Sequence, residues 1–399
     1  MIPRIILFLI IGIDISILFY ETSTLSISHY EASLLYGEFS FIQLLENISF
    51  FLFGQNDLSL RMPMIILHVV SIILLYKISK KYLIDYRNRL WLISIFILLP
   101  GVVSSALLVD SAGLVIFGLL LFIYIYENYN LKYIYFLLPL LAVLDNGFLY
   151  LFISLMIFSF YTKNRDLFLY NIFLFLVSLF IYGIDLGSGS PRGHLLDTIG
   201  IYSAIFTPII FVYIFYILYK RFLSKDINII WFIATIPLLL TLLLSFRQKI
   251  YLEEFAPYLI MALPLTAQSF YSSYRVRLKQ FRRNYKIIFI LSALFLVVNF
   301  VVVLFNRELY LIIENPKKHF ASKMHIAKEL SIELKKRGIY CVTAEPKMQK
   351  RLKFYGIDEC ENIILKQQSL SKNNDENAVT ISYRYRPIYT AIVTNINNQ

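Results

Sequence analysis

Long apolar blocks separated by short polar connections fill residues 1–306 of this chain. Most blocks are about 17–22 residues long, which is the length that an α-helix needs to cross a hydrocarbon core of ~30 Å. The pattern therefore predicts a bundle of membrane-spanning helices. The eleven predicted spans lie near 4–20, 62–79, 90–109, 111–127, 132–144, 147–161, 167–184, 199–219, 228–246, 253–271 and 287–306.

The segment 132–161 allows two interpretations, one long tilted helix or two short helices. Asp145-Asn146-Gly147 interrupts it, and Asn-Gly after an acidic residue is a turn signal. With two helices, eighteen Lys and Arg residues fall on one side of the membrane and four on the other. With one helix, every later loop would change sides, and the basic loops after residue 161 would lie outside. Because short cytoplasmic loops hold the excess of Lys and Arg, we predict two helices, a cytoplasmic N-terminus and a periplasmic C-terminal tail.

Composition agrees with this class of protein. Of the 399 residues, 58% are hydrophobic and only 16% are charged. A soluble domain has too little interior to bury so many apolar side chains, so the sequence predicts a polytopic α-helical membrane protein. No nucleic-acid partner is predicted.

The first predicted outer loop, residues 21–60, contains five acidic residues and no Lys or Arg. Between Phe39 and Phe53 the residues are mainly apolar, with one narrow polar stripe at spacings of three and four. This pattern predicts an amphipathic helix along the membrane surface. The stripe consists of Ser40, Gln43, Glu46 and Asn47.

The acids of this loop are candidates for a general base. Glu31 and Glu38 are seven residues apart, so they share a helix face if the helix continues through Gly37. For Glu21 and Asp57, simple solvation in the loop is the alternative.

Four basic residues lie on the predicted outer side, where short loops normally lack them. They are Arg61, Arg192, Arg247 and Lys249. Long side chains can reach the lipid headgroups individually. Several such cations beside carboxylates instead predict an anion site, and a lipid phosphate is the natural ligand, because guanidinium and ammonium groups bind phosphate oxygens through charge-assisted bonds.

Further polar residues are candidates for substrate or metal contact. Asp110 at an outer turn is one, with a helix cap before Ser111 as the alternative; His29 and Glu254 are the others. A divalent cation could bind there, but no tight ligand spacing predicts a metal or another cofactor. Asp14 lies inside the first span, so we expect it to be paired, protonated or facing a polar cavity.

Residues 307–399 lose the apolar blocks and predict a small periplasmic α/β domain after a transmembrane domain of residues 1–306. A helix is predicted within 321–338, ending near Gly338, and another within 347–357. Strands are predicted for 339–344, 362–366, 378–385 and 389–393, with a polar loop at 369–377. Cys341 and Cys360, both in this domain, can form a disulfide in the periplasm or remain two thiols.

Several segments in order resemble one family. An acidic loop after the first span, a surface helix, and "FLFGQNDLSLRMP" (51–63) are similar to GT-C glycosyltransferases, in the branch of protein mannosyltransferases and lipid A aminoarabinose transferases. The segments "LLPGVVSSALLVDSAGLVIF" (98–117) and "LSFRQKIYLEEFAPYLIMALPL" (244–265) continue the resemblance. Each motif is loose, and the resemblance covers most of 1–306.

The resemblance implies transfer of a sugar from a polyprenyl-phosphate donor, in the outer leaflet, to a lipid, glycan or protein acceptor. Family members usually carry an Asp-Glu pair in the first loop, but here Tyr30 precedes Glu31. The missing acid implies a changed specificity or a loss of catalysis. If the protein is active, Glu31 or Glu38 must serve as the base. The chemistry also needs cations for the departing donor phosphate, a role that the outer basic residues could fill.

Two other classes of function compete with the glycosyltransferase. A transporter or lipid flippase should show internal repeats and polar residues at mid-membrane depth. No convincing repeat is found, and Asp14 is the residue that best supports this class. An inactive relative that acts through its C-terminal tail is the other alternative.

Overall fold

The computed structural model describes residues 2–183, 193–313, 315–368 and 378–395, and it is mostly helical. The helices, in chain order, are α1 Ile2–Thr24, α2 His29–Leu35, α3 Phe41–Phe53, α4 Asp57–Tyr82, α5 Tyr86–Leu98, α6 Pro100–Leu107, α7 Ser111–Asn128, α8 Leu131–Leu144, α9 Leu149–Tyr161, α10 Arg165–Tyr182, α11 Leu195–Phe206, α12 Pro208–Leu223, α13 Ile229–Ser245, α14 Leu252–Ile260, α15 Leu263–Val276, α16 Lys279–Leu304, α17 Ala327–Lys336 and α18 Pro346–Phe354. The strands are β1 Ile363–Gln367, β2 Ala378–Tyr383 and β3 Arg386–Asn395. The chain divides into two compact units, residues 1–16 with 64–300 and residues 17–63 with 301–399.

Candidate membrane spans are fewer than the sequence pattern predicts. Among the described residues, five helices are long and apolar enough to cross a membrane, namely α1, α4, α7, α10 and α16. Counting each of two bent helix pairs as one span raises the number to seven. Four further apolar helices are shorter than 18 residues. A multi-pass helical membrane protein is therefore confirmed, whereas the predicted number of eleven spans is not.

Three of the predicted spans are each interrupted by a break between two helices. The predicted span 90–109 is the pair α5 and α6, bent by 63°, and 199–219 is part of the pair α11 and α12, bent by 104°. Helices α6 and α12 both begin with proline, whose ring cannot continue the preceding helix. The predicted span 253–271 consists of α14 and α15, which are separated at Met261 and Ala262.

The predicted break at Asp145-Asn146-Gly147 is confirmed. Helix α8 ends at Leu144, and a carboxylate oxygen of Asp145 accepts a hydrogen bond from the Gly147 amide at 2.7 Å. A Cβ at Gly147 would lie only 2.6 Å from a side-chain carbon of Val115, so the turn needs a residue without a side chain there. The Tyr258 hydroxyl also donates to the Gly147 carbonyl at 2.6 Å, which ties α14 to this turn.

The first unit has a large apolar core, and Asp14 finds a partner in it. The carboxylate of Asp14 lies 2.9 Å from Nε2 of His68 on α4, and both side chains are buried. The ring of His68 stacks on Phe96 from α5. The expectation of a paired residue at this position is confirmed, and the pair links α1 to α4 within the bundle.

In the second unit a three-stranded antiparallel sheet, in the order β1-β3-β2, packs against α17 and α18. The predicted strands over 362–366, 378–385 and 389–393 are confirmed, although the predicted polar loop 369–377 lies outside the described residues. Residues 339–344 form only two isolated parallel bridges, from Cys341 to Asp358 and from Thr343 to Ile364. The predicted strand there is wrong, since neither bridge is continued by its neighbours.

Both predicted helices of the tail are present, as α17 and α18. Helix α17 ends at Lys336, and the Ile339 amide donates back to the Leu334 carbonyl at 3.0 Å. Gly338 makes this possible because its φ of 75° is costly for residues with a side chain. Cys341 and Cys360 form a disulfide with Cα atoms 5.4 Å apart, which settles the alternative in favour of the bond.

Candidate functional site

The acidic loop of the second unit is organised around Glu31, in the first turn of α2. Ser28 caps this helix, since its hydroxyl accepts from the Glu31 amide at 3.1 Å. The Glu31 carboxylate in turn accepts from the Ser28 amide at 2.7 Å. This reciprocal capping box fixes the carboxylate to the start of the helix, and its side chain is fully buried.

Arg61, near the start of α4, forms a two-point ion pair with Glu31. Its Nε and one terminal nitrogen lie 3.3 and 3.2 Å from the two carboxylate oxygens. The remaining donors reach the carbonyls of Thr22, Leu25 and Ser26 at 3.5, 3.1 and 3.0 Å. Since all five N–H groups of the guanidinium are used inside the protein, Arg61 holds the chain between α1 and α4 and presents no donor to a ligand in this arrangement.

Glu38 does not join Glu31, so the predicted shared helix face is wrong. Helix α2 ends at Leu35, and the chain turns through Tyr36 and Gly37 instead of continuing as helix. Glu38 is exposed while Glu31 is buried. The short helix ends before Gly37 because glycine is a poor residue in a helix interior.

The predicted amphipathic helix is present as α3, and within its polar stripe Glu46 is buried, Ser40 and Gln43 are half-buried and Asn47 is exposed. The buried residues of α3 are Ile42, Glu46 and Ser49, whereas Phe51 is 90% exposed. Ser49 donates to the Ser59 carbonyl at 2.6 Å. A helix with its apolar side outward and its polar side against the protein suits contact with lipid.

Glu46 is the least compensated acid of the second unit. It is fully buried, and neither carboxylate oxygen has a hydrogen-bond partner among the described residues. Burial, and to a smaller extent the negative charge of Glu31, raise the pKa of Glu46 to about 8. Glu46 therefore carries a proton at neutral pH. The polar stripe of the predicted amphipathic helix was the sequence signal for this residue.

The C-terminal tail also contributes to this cluster, which sequence patterns did not reveal. The Tyr355 hydroxyl donates to Asp57 at 2.6 Å, and the Lys328 ammonium lies 2.8 Å from the other oxygen of the same carboxylate. Arg351 donates to the Ile27 carbonyl at 2.9 Å, and burial lowers the pKa of Arg351 to about 10. Asp57 is buried, as is Glu21, so simple solvation is wrong for both acids.

His29 lies at the start of α2 and is half-buried. Burial first, and then the positive charges of Lys347 and Lys350, lower the pKa of His29. The imidazole is therefore neutral at physiological pH and can donate or accept a hydrogen bond.

Three predicted site residues of the first unit, Arg247, Lys249 and Glu254, lie in the segment between α13 and α15. Arg247 and Lys249 are exposed in the connection after α13. Glu254 on α14 accepts from the Tyr150 hydroxyl at 3.1 Å and from the Asn146 amide at 3.4 Å. Glu254 is thus held by the Asn146 side chain of the turn and by Tyr150 on α9, while the two cations are exposed.

Asp110 caps α7, as the alternative interpretation stated. Its carboxylate accepts from the Ala112 amide at 3.0 Å. No group of three or more His, Cys, Asp or Glu residues that could hold a metal ion occurs within the described part of the chain. Arg192, the remaining predicted cation, lies outside the described residues.

Comparison with known proteins identifies the fold. No family model and no curated protein sequence matches this chain. Among solved structures, ArnT from Cupriavidus metallidurans in the apo state matches with a TM-score of 0.61 at 11% identity, over 98% of this chain and 98% of that one. The match shows that the two chains share a fold over nearly their whole lengths.

Proposed function

We propose that this protein is a glycosyltransferase of the bacterial inner membrane that moves a sugar from a polyprenyl-phosphate donor, in the outer leaflet, to a lipid, glycan or protein acceptor. The observation that carries the proposal is the fold match to ArnT over 98% of both chains. ArnT is a lipid A aminoarabinose transferase of the GT-C type. A fold can host several activities, so the residues must supply the chemistry.

The disulfide supports an outer location for the second unit. Disulfides persist in oxidising compartments such as the periplasm and are rare in the cytosol. Cys341 and Cys360 lie in the same compact unit as the first loop, residues 17–63. This shared unit supports the proposal that both segments lie in the periplasm, as predicted for the tail at 307–399.

Glycosyl transfer needs a carboxylate that accepts the proton of the acceptor and cations that stabilise the departing phosphate. We assign the first role to Glu31, which Ser28 and Arg61 hold in one orientation. The second role belongs to Arg247, assisted by Lys249, because both are exposed. Arg61 then acts as a positioning residue for Glu31, and Arg192 stays a predicted phosphate contact.

Measurements of donor affinity and of turnover distinguish the phosphate contact from the base. Removing the charged phosphate contact in Arg247→Ala should cost about 1.5–3 kcal/mol, or roughly ten- to over a hundredfold in affinity for polyprenyl phosphate. Glu31→Gln should abolish sugar transfer and leave donor affinity within about twofold, since it removes the base but not the cations. Glu38→Gln, an exposed change in the same loop, serves as the control and should stay active.

Unchanged polyprenyl-phosphate affinity in Arg247→Ala would move the phosphate site elsewhere. Full turnover in Glu31→Gln, in protein that elutes as a monodisperse peak, would exclude Glu31 as the base. If wild-type protein neither binds polyprenyl phosphate nor transfers sugar, the glycosyltransferase proposal fails, and a transporter or an inactive relative becomes the better interpretation.

A further inference from the structure

A second candidate site lies in the first unit, among α5, α12, α15 and α16. These helices enclose a cavity of about 610 Å³, within the usual range for ligand sites of ≈ 300–1,000 Å³. Its walls are mainly aliphatic and aromatic, and Trp91, Phe270 and Phe289 are among them. We refer to it as the aromatic cavity.

One side of the aromatic cavity, which we call its polar side, holds the amide and the charged side chain of the lining, Asn88 and Lys286, while Thr266 and Ser292 place hydroxyl groups elsewhere in the walls. Asn88, Tyr274, Tyr285 and Lys286 belong to the start of α5, the end of α15 and the start of α16. These helix ends lie within or next to the two basic segments 77–89 and 275–286. Because short loops rich in Lys and Arg are cytoplasmic, the polar side of the cavity lies at the cytoplasmic interface and its apolar part extends into the membrane.

The polar side carries positive charge without acidic partners. The guanidinium of Arg277 lies 4.4 Å from the ring centre of Tyr285, and the Lys286 ammonium lies 5.9 Å from that of Tyr274. No acidic residue occurs from 255 to 307, and the structure shows no ion pair between the six basic residues of 275–286 and any described acid. The amide nitrogen of Asn88 is also buried without a hydrogen-bond partner among the described residues.

The aromatic rings hold the two cations beside the cavity. Tyr285 stacks on Phe270 with ring centres 4.6 Å apart, and its hydroxyl lies 3.3 Å from that of Tyr213 on α12. A cation over an aromatic face keeps its outward N–H groups available for an anion. The cavity therefore combines an apolar volume with a cationic edge at the depth of lipid headgroups.

We propose that the aromatic cavity binds one anionic phospholipid of the cytoplasmic leaflet, with an acyl chain among Trp91, Phe270 and Phe289 and the phosphate against Lys286 and Arg277. Charge complementarity selects this occupant, because a zwitterionic lipid would offset the attraction with its own ammonium group. The donor phosphate proposed above belongs to the outer leaflet. This site is therefore separate from the proposed activity and does not depend on it.

Native mass spectrometry of the full chain, purified in detergent, tests the proposal. The protein is titrated with phosphatidylglycerol or phosphatidylcholine of equal chain length, and the fraction with one bound lipid is measured. Wild type should bind phosphatidylglycerol at least about tenfold more tightly, and the double change Arg277→Gln with Lys286→Gln should remove that preference, since each basic residue contributes about 1 kcal/mol.

Two further variants separate a defined site from general electrostatics. Arg283→Gln removes an exposed charge from the same loop, away from the cavity lining, and should retain the preference. Ala293→Phe places a ring in the apolar volume and should weaken both lipids while all charges remain. Melting temperature and elution profile establish that each variant is folded.

Three results would overturn the proposal. Arg283→Gln could lose as much preference as the double variant, which would indicate a diffuse surface charge effect. Folded Ala293→Phe could bind both lipids as wild type does, which would place them outside the cavity. Polyprenyl phosphate could displace phosphatidylglycerol from wild type at equal concentration but not from Ala293→Phe, which would assign the cavity to a polyprenyl chain instead.

Discussion

The acidic segment 17–63 and the basic segment 275–286 each bring charged side chains next to apolar helices, but the partners of these side chains differ. Glu31 and Arg61 are fully buried and bind each other and nearby backbone groups. Arg277 and Lys286 are exposed beside aromatic rings and have no acidic partner among the described residues. Burial of an ion requires compensation inside the protein, so Arg61 is committed to holding Glu31 and the surrounding chain, whereas the second set remains able to attract a ligand.

The largest expected effect is that of Arg61→Ala, which leaves the buried Glu31 carboxylate without its cation. Loss of one partner of a buried pair costs about 3–5 kcal/mol. The free energy of unfolding, measured by denaturation in detergent micelles, should fall by that amount. Adding Glu31→Gln should restore part of it, because the uncompensated charge is then removed. Arg283→Ala, at an exposed position, should change it by less than about 0.5 kcal/mol. Equal stability of the two arginine variants would contradict the comparison.

The disulfide should have the next largest effect. It closes a loop with a sequence separation of 19, for which the loss of chain entropy in the unfolded state predicts about 3 kcal/mol. Cys341→Ser with Cys360→Ser should therefore unfold at lower denaturant concentration. Thiol labelling provides an independent check, since wild type should react only after reduction. Labelling of both cysteines without reductant would show that the bond is not formed.

Glu46 should make stability depend on pH, and no such effect is expected from 275–286. Its pKa is raised from 4.5 to about 8 on folding, so the folded state holds a proton that the unfolded state loses across this interval. Stability from this group is thus complete below about pH 4.5 and declines as pH rises through about 8. Glu46→Gln keeps the neutral shape, so its melting temperature relative to wild type should be higher at pH 8.5 than at pH 5. A constant difference between the two proteins would refute this origin.

Only a small effect on stability is expected of Arg277→Gln, which removes an exposed cation over Tyr285. Such contacts contribute about 0.5–1 kcal/mol. The melting temperature should therefore change little, while the preference for phosphatidylglycerol should fall. A large destabilisation would indicate that Arg277 is a structural residue like Arg61, and the contrast between the two segments would then fail.

Sequence reasoning succeeded where a property repeats along the chain. The turn at Asp145-Asn146-Gly147, the helix α3 and the strands β1 to β3 all follow from local signals that neighbouring residues share. It failed at the bends within 90–109 and 199–219, because an apolar composition is compatible with one helix or with two. It also failed for Glu38, since the end of α2 depends on only a few residues near Gly37.

The apolar blocks and the alternation of Lys and Arg by themselves determined a multi-pass helical membrane protein, because the hydrophobic effect and helix length act along one segment at a time. Only the tertiary structure decided which charged side chains bind other groups of the protein. Arg61 meets Glu31 across 30 positions, and Arg351 meets the Ile27 carbonyl across 324. The sequence therefore located the candidate cations, but the fold alone separated Arg61, whose five donors are occupied, from the exposed Arg247. Such pairing depends on distances between segments remote in the chain, and no periodic pattern encodes them.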